Sequence, residues 1–103
     1  MSAEAREALG RELLGKGELA RAVTELNEAI RLNPNRATAY NARGYAYLRM
    51  RMYKNALADF DQAIRLDPKY ANAYHNRAAA RRASGNAAGA AQDLASERHY
   101  STR

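Results

Sequence analysis

The stretch EAIRLNP at residues 28–34 recurs as QAIRLDP at residues 62–68, which places the two prolines of the chain 34 residues apart. In the same register Ala22 aligns with Ala56 and with Ala90. A fixed period of this length is the sequence signature of stacked repeats that each contribute one supersecondary unit. The chain is therefore predicted to be a single domain, residues 1–103, built from three units at residues 3–36, 37–70 and 71–103.

Each unit is predicted to contain two helices. Apolar residues follow helical spacing, as Leu57, Phe60 and Ile64 do in the second unit. Gly17 and Gly85 mark the turn inside a unit, because glycine readily takes the left-handed conformation that closes a helix. The prolines separate the units, because proline lacks an amide hydrogen and restricts the residue before it. The predicted helices cover residues 3–15, 19–32, 37–50, 53–66, 71–84 and 87–99.

The composition narrows the class of protein. Hydrophobic residues make up 47% of the 103 residues, a normal share for a globular domain. The chain has no cysteine, which excludes disulfides and thiolate chemistry. No apolar run is long enough to span a membrane, and the acidic N-terminus does not resemble a signal peptide. We expect a cytoplasmic protein, or a periplasmic one if a signal peptide has been removed.

The positive charge is concentrated in the last two-thirds of the chain. The net charge is +6, and 14 of the 17 basic residues are arginine. The first unit is neutral, whereas the second and third units each carry a net charge of +3. Arginine suits the recognition of carboxylate or phosphate groups, because its planar guanidinium can donate two parallel hydrogen bonds.

The repeat pattern resembles that of the tetratricopeptide repeat family. The second unit fills the signature places of that family with Tyr40, Gly44, Tyr47, Tyr53, Ala56, Phe60, Ala63 and Pro68. The resemblance implies an all-α fold, a right-handed superhelical solenoid of three helix-turn-helix repeats. Small residues would let paired helices approach, and large ones would fill the surrounding space. We assign a structural role to the aromatic residues in repeat-defining places, Tyr40, Tyr47, Tyr53, Phe60, Tyr70 and Tyr74.

The third unit departs from the pattern at two places. Arg81 stands where the second unit has Tyr47, and Glu97 stands where it has Ala63. Polar residues at core-equivalent places are expected in a terminal repeat, which meets water on one side. We predict that Arg81 and Glu97 form an ion pair. The uncovered side of the last helix is a candidate contact for self-association, for example as a homodimer.

The resemblance also implies a concave groove, lined by the first helix of each unit, that holds a peptide or a helical segment of a partner protein. Carried over place by place, this surface also includes Glu4, Glu7, Leu14, Thr38 and Ala79. The residues that we expect to contact the partner are Arg11, Asn41, Tyr45, Leu48, Arg49, Asn72, His75, Asn76 and Arg82.

Tyr45 is the most informative groove residue. Its column reads Arg11, Tyr45 and Ala79, so no shared packing demand explains an aromatic side chain there. Tyrosine is a frequent anchor at interfaces because it supplies a large contact area at low entropic cost. Arg43 and Arg77 instead share one column, which indicates a repeated structural role with packed stems and solvated guanidinium groups.

One subtype of the family can be tested on the sequence. Members that bind chaperone tails hold a C-terminal carboxylate with two lysines, two asparagines and an arginine. The matching places here hold Glu7, Arg11, Ala42, Asn72 and Asn76, and none of them agrees. We therefore predict a partner other than a chaperone tail.

Catalysis is not predicted. His75 and His99 stand 24 residues apart on different predicted helices, without the spacing of metal ligands. Asp59 and Asp61 point to different sides of one helix and are expected on the solvated surface. No cofactor or metal site is expected. A competing function is nucleic-acid binding, in which the basic second and third units contact phosphates and Tyr45 stacks on a base.

Overall fold

The computed structural model describes residues 1–101, which form six α-helices in three consecutive pairs. The helices are α1 (Ala3–Gly15), α2 (Leu19–Leu32), α3 (Ala37–Arg49), α4 (Tyr53–Leu66), α5 (Ala71–Ala83) and α6 (Ala87–Ser101). The prediction of an all-helical repeat fold is confirmed, and the helix ends differ from the predicted ones by at most two residues. The predicted end of the third unit, residue 103, lies outside the described residues. None of the six helices is long and apolar enough to cross a membrane.

The two helices of the first pair, and those of the second, approach closely at a glycine. A β-carbon added to Gly44 of α3 would lie 2.6 Å from the Cε1 atom of Phe60 on α4. The same substitution at Gly10 would place a carbon 2.7 Å from the Cγ atom of Leu26. Phe60 and Leu26 are both fully buried. Glycine is therefore required where each large side chain of the second helix packs across the first helix.

Neighbouring units share their core. Leu13, Leu14 and Leu26 of the first unit pack with Ala42 and Ala46 of the second. In the same way, Phe60 of the second unit packs with Ala80 of the third. The first helices also contact one another, α1 against α3 and α3 against α5. This stacking places the three first helices side by side, as in other repeat proteins whose units contact only their neighbours.

An arginine on α3 connects the two helices of the second unit with each other and with the first unit. The Nε and Nη2 atoms of Arg43 donate to the two carboxylate oxygens of Asp59 on α4, at 2.9 and 2.7 Å. Its Nη1 atom donates to the side-chain oxygen of Asn27 on α2 at 2.9 Å. The guanidinium also lies over the rings of Tyr40 and Tyr47. One side chain thus connects three helices.

The same arrangement recurs 34 residues later and, in altered form, in the first unit. Arg77 donates to Asp93 on α6, with a shortest distance of 2.8 Å, and to Asp61 on α4 at 3.0 Å. In the first unit the equivalent bond is made by Arg6, which aligns with Tyr40 of the second unit. Arg6 donates to Glu25 on α2 at 2.7 Å. Every unit therefore joins its two helices by an arginine on the first and a carboxylate on the second.

These contacts correct two predictions. The guanidinium groups of Arg43 and Arg77 are not solvated heads, because each is held by a carboxylate and the side chains are only 22% and 16% exposed. Asp59 is not on the surface, since it is 4% exposed. Sequence spacing placed the two aspartates on different sides of α4 correctly, but it did not reveal that the side of Asp59 faces α3. Asp61 is exposed, as expected, and binds Arg77.

The predicted ion pair between Arg81 and Glu97 is wrong. Arg81 donates to Asp93 at 3.0 Å, and Glu97 lies 3.1 Å from the Nδ1 atom of His75. Because α5 and α6 run in opposite directions, a residue near the end of α5 lies opposite the early part of α6. Glu97, near the end of α6, consequently lies opposite the beginning of α5.

The buried pair in the second unit makes a prediction about stability. Burial raises the pKa of Asp59, and the hydrogen bonds from Arg43 counteract that rise. We expect Arg43→Leu to lower the free energy of unfolding at pH 7 by about 3 kcal/mol, because it leaves a buried carboxylate without its partner. Urea unfolding measures this value. The exposed Arg65→Leu on α4 serves as the control and should change it by less than about 0.5 kcal/mol.

The loss caused by Arg43→Leu should depend on pH. A carboxyl group whose folded-state pKa is raised favours folding when protonated, and this contribution disappears as the pH rises. The deficit should therefore be largest at neutral pH and smaller at an acidic pH at which Asp59 holds its proton. A deficit of equal size at both pH values would contradict an electrostatic origin.

The turns inside the three units have the same backbone shape but different residues. Gly17 and Gly85 have φ angles of 77° and 90°, and the equivalent Arg51 has a φ angle of 61°. A residue with a β-carbon is strained in this region, by about 1–2 kcal/mol in the left-handed conformation. The turn of the second unit is therefore built with a residue that its backbone conformation disfavours.

We expect Arg51→Gly to raise the free energy of unfolding by about 1 kcal/mol, because it relieves this strain. Thermal and urea unfolding measure the change. Lys16, which directly follows α1 and has a φ angle of −88°, provides the matched control. Lys16→Gly should give no gain, since no strain is present there; equal gains at both positions would show that strain is not the cause.

Candidate functional site

A cavity of about 540 Å³ opens between the three first helices. It is lined by Arg11, Leu14, Gly15, Thr38, Asn41, Ala42, Tyr45, Arg49, Tyr70, Asn72, His75 and Asn76. Seven of the nine residues predicted to contact a partner lie on this lining. Leu48 instead packs, partly buried, against the core around Phe60. Arg82 is exposed near the end of α5, away from the cavity.

A network of side-chain amides forms the floor of the cavity. The amide nitrogen of Asn41 donates to the Tyr70 hydroxyl at 3.2 Å and to the side-chain oxygen of Asn72 at 2.9 Å. The amide nitrogen of Asn76 donates to the oxygens of Asn41 at 3.1 Å and Asn72 at 3.2 Å. Asn41 and Asn76 are buried, so these bonds fix the side chains in position before any ligand arrives.

Tyr45 and Arg49 pack against each other on one side of the cavity. Tyr45 is 39% exposed, although its ring is large and apolar. The guanidinium carbon of Arg49 lies 5.8 Å from the centre of that ring, and its Nη1 atom donates to the main-chain oxygen of Leu14 at 3.0 Å. The arginine is therefore anchored to the end of α1 and supports an aromatic surface that faces the cavity.

The cavity lining is positively charged. Within residues 1–101, it includes Arg11 and Arg49 and no acidic residue. The nearby Glu7 is buried, and its carboxylate accepts from the Nε atom of Arg36 at 2.8 Å. Arg11 lies 3.8 Å from the same carboxylate and keeps 62% of its side chain exposed. Arg36 is shared between Glu7 and Glu4, so Arg11 keeps its contact with Glu7 while most of its side chain stays exposed at the cavity.

His75 stands at the opposite wall. Its Nδ1 atom is 3.1 Å from the carboxylate of Glu97, and the side chain is 55% exposed. The carboxylate fixes the orientation of the ring, so that the other ring nitrogen is available to a ligand.

Tyr70 is a cavity residue that the sequence did not reveal. The repeat pattern assigns it to the structural aromatic set, and its hydroxyl does bind Asn41, but its side chain also lines the cavity. The alignment of the units does contain an indication that Tyr70 contacts a groove residue. Arg36, one period earlier, reaches back from the start of α3 to Glu7, as Tyr70 reaches back from the start of α5 to Asn41.

Burial also shifts the pKa of this tyrosine. It raises the pKa of the Tyr70 hydroxyl, while the hydrogen bond from Asn41 and the charge of Arg11 act in the opposite direction. The hydroxyl keeps its proton at neutral pH, as an ordinary tyrosine does, and can donate a hydrogen bond.

The fold and the cavity define a helical-repeat binding domain, and comparison with known families agrees. A family model described as TPR repeat matches residues 10–50. Two models described as tetratricopeptide repeat match residues 37–70 and 60–92. The chain belongs to the tetratricopeptide repeat (TPR) family.

Solved structures of TPR domains resemble the chain over almost its whole length. The second TPR of Spaghetti (RPAP3), bound to the HSP90 peptide SRMEEVD, is 28% identical, with a TM-score of 0.93 and coverage of 97% of this chain and 93% of that one. The TPR2B domain of yeast Sti1, in a complex with pHsp70, is 31% identical, with a TM-score of 0.92 and coverage of 95% and 78%. The Arabidopsis OM64 TPR domain is 28% identical, with a TM-score of 0.93 and coverage of 95% and 81%. No curated protein sequence matches the chain.

The residues at the clamp places predict that this chain does not share the ligand of the Spaghetti domain. None of the five clamp places holds a lysine that could meet the several carboxylates of SRMEEVD. Glu7 is buried against Arg36, and Asn72 and Asn76 belong to the amide network. We expect this peptide to bind at least about 30-fold more weakly than it binds the second TPR of Spaghetti, a loss of about 2 kcal/mol. Fluorescence anisotropy on both domains measures the difference. Equal affinities would contradict the prediction.

Proposed function

We propose that the chain is a protein-interaction module that holds a peptide segment of a partner protein in the cavity between α1, α3 and α5. The observation that carries this proposal is the position of Tyr45, an exposed aromatic ring supported by Arg49 beside a fixed polar floor. A polar floor with an aromatic wall matches the usual composition of binding sites, in which a few placed polar groups orient the ligand. The peptide-bound state of the second TPR of Spaghetti supports the proposal.

The chemistry of the floor favours an extended segment over a helical one. A helix satisfies its own main-chain groups, whereas an extended segment carries free carbonyl and amide groups along its length. The asparagines and arginines of the cavity present hydrogen-bonding groups that can meet them.

Nucleic-acid binding stays a prediction with less support. Two of the arginines that make the second and third units basic, Arg43 and Arg77, bind carboxylates inside the fold. Their contribution to a phosphate-binding surface is correspondingly reduced. Self-association through α6 also stays a prediction.

The test uses random 12-residue peptides displayed for selection on the whole chain, followed by affinity measurements with the selected peptides. We expect Tyr45→Ala to weaken binding by about 30-fold, as for the removal of an interface anchor. Tyr100→Ala is the matched control, because Tyr100 is 37% exposed but packs on Tyr74 outside the cavity. It should leave the affinity unchanged.

Two outcomes would overturn the proposal. One is a selection that enriches no peptide over background, and the other is equal loss in the two tyrosine variants. A single-stranded oligonucleotide provides the competing ligand. Binding to it that falls steeply with salt concentration, and that Tyr45→Ala weakens, would instead assign the cavity to nucleic acid.

A further inference from the structure

The turn between α3 and α4 exposes two methionines that the repeat does not require. Met50 and Met52 are 36% and 39% exposed. The equivalent places in the other two turns hold only polar residues, Lys16 and Glu18 in the first unit and Ser84 and Asn86 in the third. Between the methionines, Arg51 keeps a backbone conformation that the other turns give to glycine. The other two units show that the turn needs neither apolar side chains nor a strained residue, and strained residues cluster at functional sites.

The same turn lies in a strongly basic part of the chain. Residues 46–57 and 80–91, which surround the turns of the second and third units, contain five basic residues and no acidic one. The equivalent residues 12–23 of the first unit contain two of each. The positive charge at the second and third turns is therefore not cancelled by neighbours along the chain.

Three of these five basic side chains are available to a partner. Arg51, Lys54 and Arg82 are exposed, and within residues 1–101 their side chains form no hydrogen bond or ion pair. The other two, Arg49 and Arg81, donate to oxygens of the fold at 3.0 Å. The available positive charges consequently lie at the turns or directly beside them.

Packing brings the available charges to one edge of the stack. Leu48, near the end of α3, packs against the buried cluster that contains Ala56 of α4 and Ala80 of α5. Each of the three available basic residues stands two or three positions from one of these packed residues. The surface that results, which we call the turn edge, consists of Met50, Arg51, Met52, Lys54 and Arg82.

We propose that the turn edge docks on the surface of a lipid membrane that contains anionic lipids. The three basic side chains attract the anionic head groups, and the two methionines enter the boundary between head groups and acyl chains. Methionine suits this place because its side chain is apolar and flexible. This function uses a surface outside the cavity lining and does not depend on the peptide-binding function proposed above.

A membrane matches both properties of the turn edge, whereas other anionic partners match only its charge. A nucleic acid offers phosphates to the basic side chains but no apolar environment to the methionines. An acidic peptide would need enclosing walls to bury the methionines, and these side chains lie outside the cavity. A lipid interface offers negative charge and apolar depth to a turn without having to enclose it.

Cosedimentation with vesicles of phosphatidylcholine, with and without phosphatidylglycerol, measures the contribution of charge. We expect the whole chain to bind only the vesicles that contain phosphatidylglycerol. A triple variant with Arg51→Gln, Lys54→Gln and Arg82→Gln should lose about 100-fold in partition coefficient, which is about fivefold for each charge.

A second triple variant removes the same charge from the opposite edge of the stack, with Arg31→Gln, Arg65→Gln and Lys69→Gln. The two edges are separated by the length of a helix, about 20 Å for the 13 residues of α3. This distance exceeds the Debye length of about 8 Å at physiological salt, so the second variant should bind within about threefold of the unchanged chain. Circular dichroism and urea unfolding confirm that each variant is folded.

The position of the methionines has its own measurement. The chain has no cysteine, so that Met52→Cys introduces a single site for an environment-sensitive dye. We expect the emission of this dye to shift to the blue when vesicles with phosphatidylglycerol are added. Leu32→Cys is the matched control, since Leu32 is 42% exposed and lies at the opposite edge, and its dye should not respond.

Several results would overturn the inference. Absence of vesicle binding, or equal binding with and without phosphatidylglycerol, would exclude the attraction of anionic lipids. Equal losses in the two triple variants would assign the binding to net charge alone, and equal dye responses at residues 52 and 32 would exclude a role for the methionines. An oligonucleotide that binds through the three basic residues, without any lipid binding, would assign the turn edge to nucleic acid.

Discussion

The contact on which this structure depends is the bond between an arginine of the first helix of each unit and a carboxylate of the second helix. That carboxylate is buried in the second and third units and 21% exposed in the first. Arg43 reaches Asp59 with two parallel hydrogen bonds and also reaches Asn27 of the preceding unit. Many buried side chains are alanines, which bring helices close but bury little area each. In such a core, directional bonds hold the helices in register, because small side chains alone permit them to slide.

These bonds also decide which positive charges remain available to a partner. Arg43 and Arg77 face the second helices and are neutralised there. Arg11 and Arg49 lie on the cavity lining, where Arg11 keeps a contact of 3.8 Å with Glu7 and Arg49 donates to the main-chain oxygen of Leu14. The net charge of the chain therefore says less about its ligand than the division of arginines between these two surfaces. A charge that is paired inside the fold supports the fold, and a charge left on the lining is open to recognition.

The sequence predicted the helices almost residue by residue, because the 34-residue period, the glycine turns and the prolines all act locally. It also placed most of the cavity residues, since a fixed repeat assigns each position to a face. It failed where the outcome depends on which atoms meet across two helices. The predicted surroundings of Asp59 and of Glu97 were wrong. Their partners on α3 and α5 depend on the direction and the offset of the packed helices. Tyr70 was missed because an aromatic in a repeat-defining place can serve packing and the cavity together.

The cavity wall takes Arg11 and Leu14 from α1, Tyr45 from α3, and Asn72 and His75 from α5. Residues from all three units are needed to line the cavity. In a stack where contacts run only between neighbours, local opening of the first or the third unit removes one side of the cavity. Three units are thus the smallest array that can present this cavity. The intact length of the stack is itself a condition for the site, and a chain that lost one end would keep much of its helix content without it.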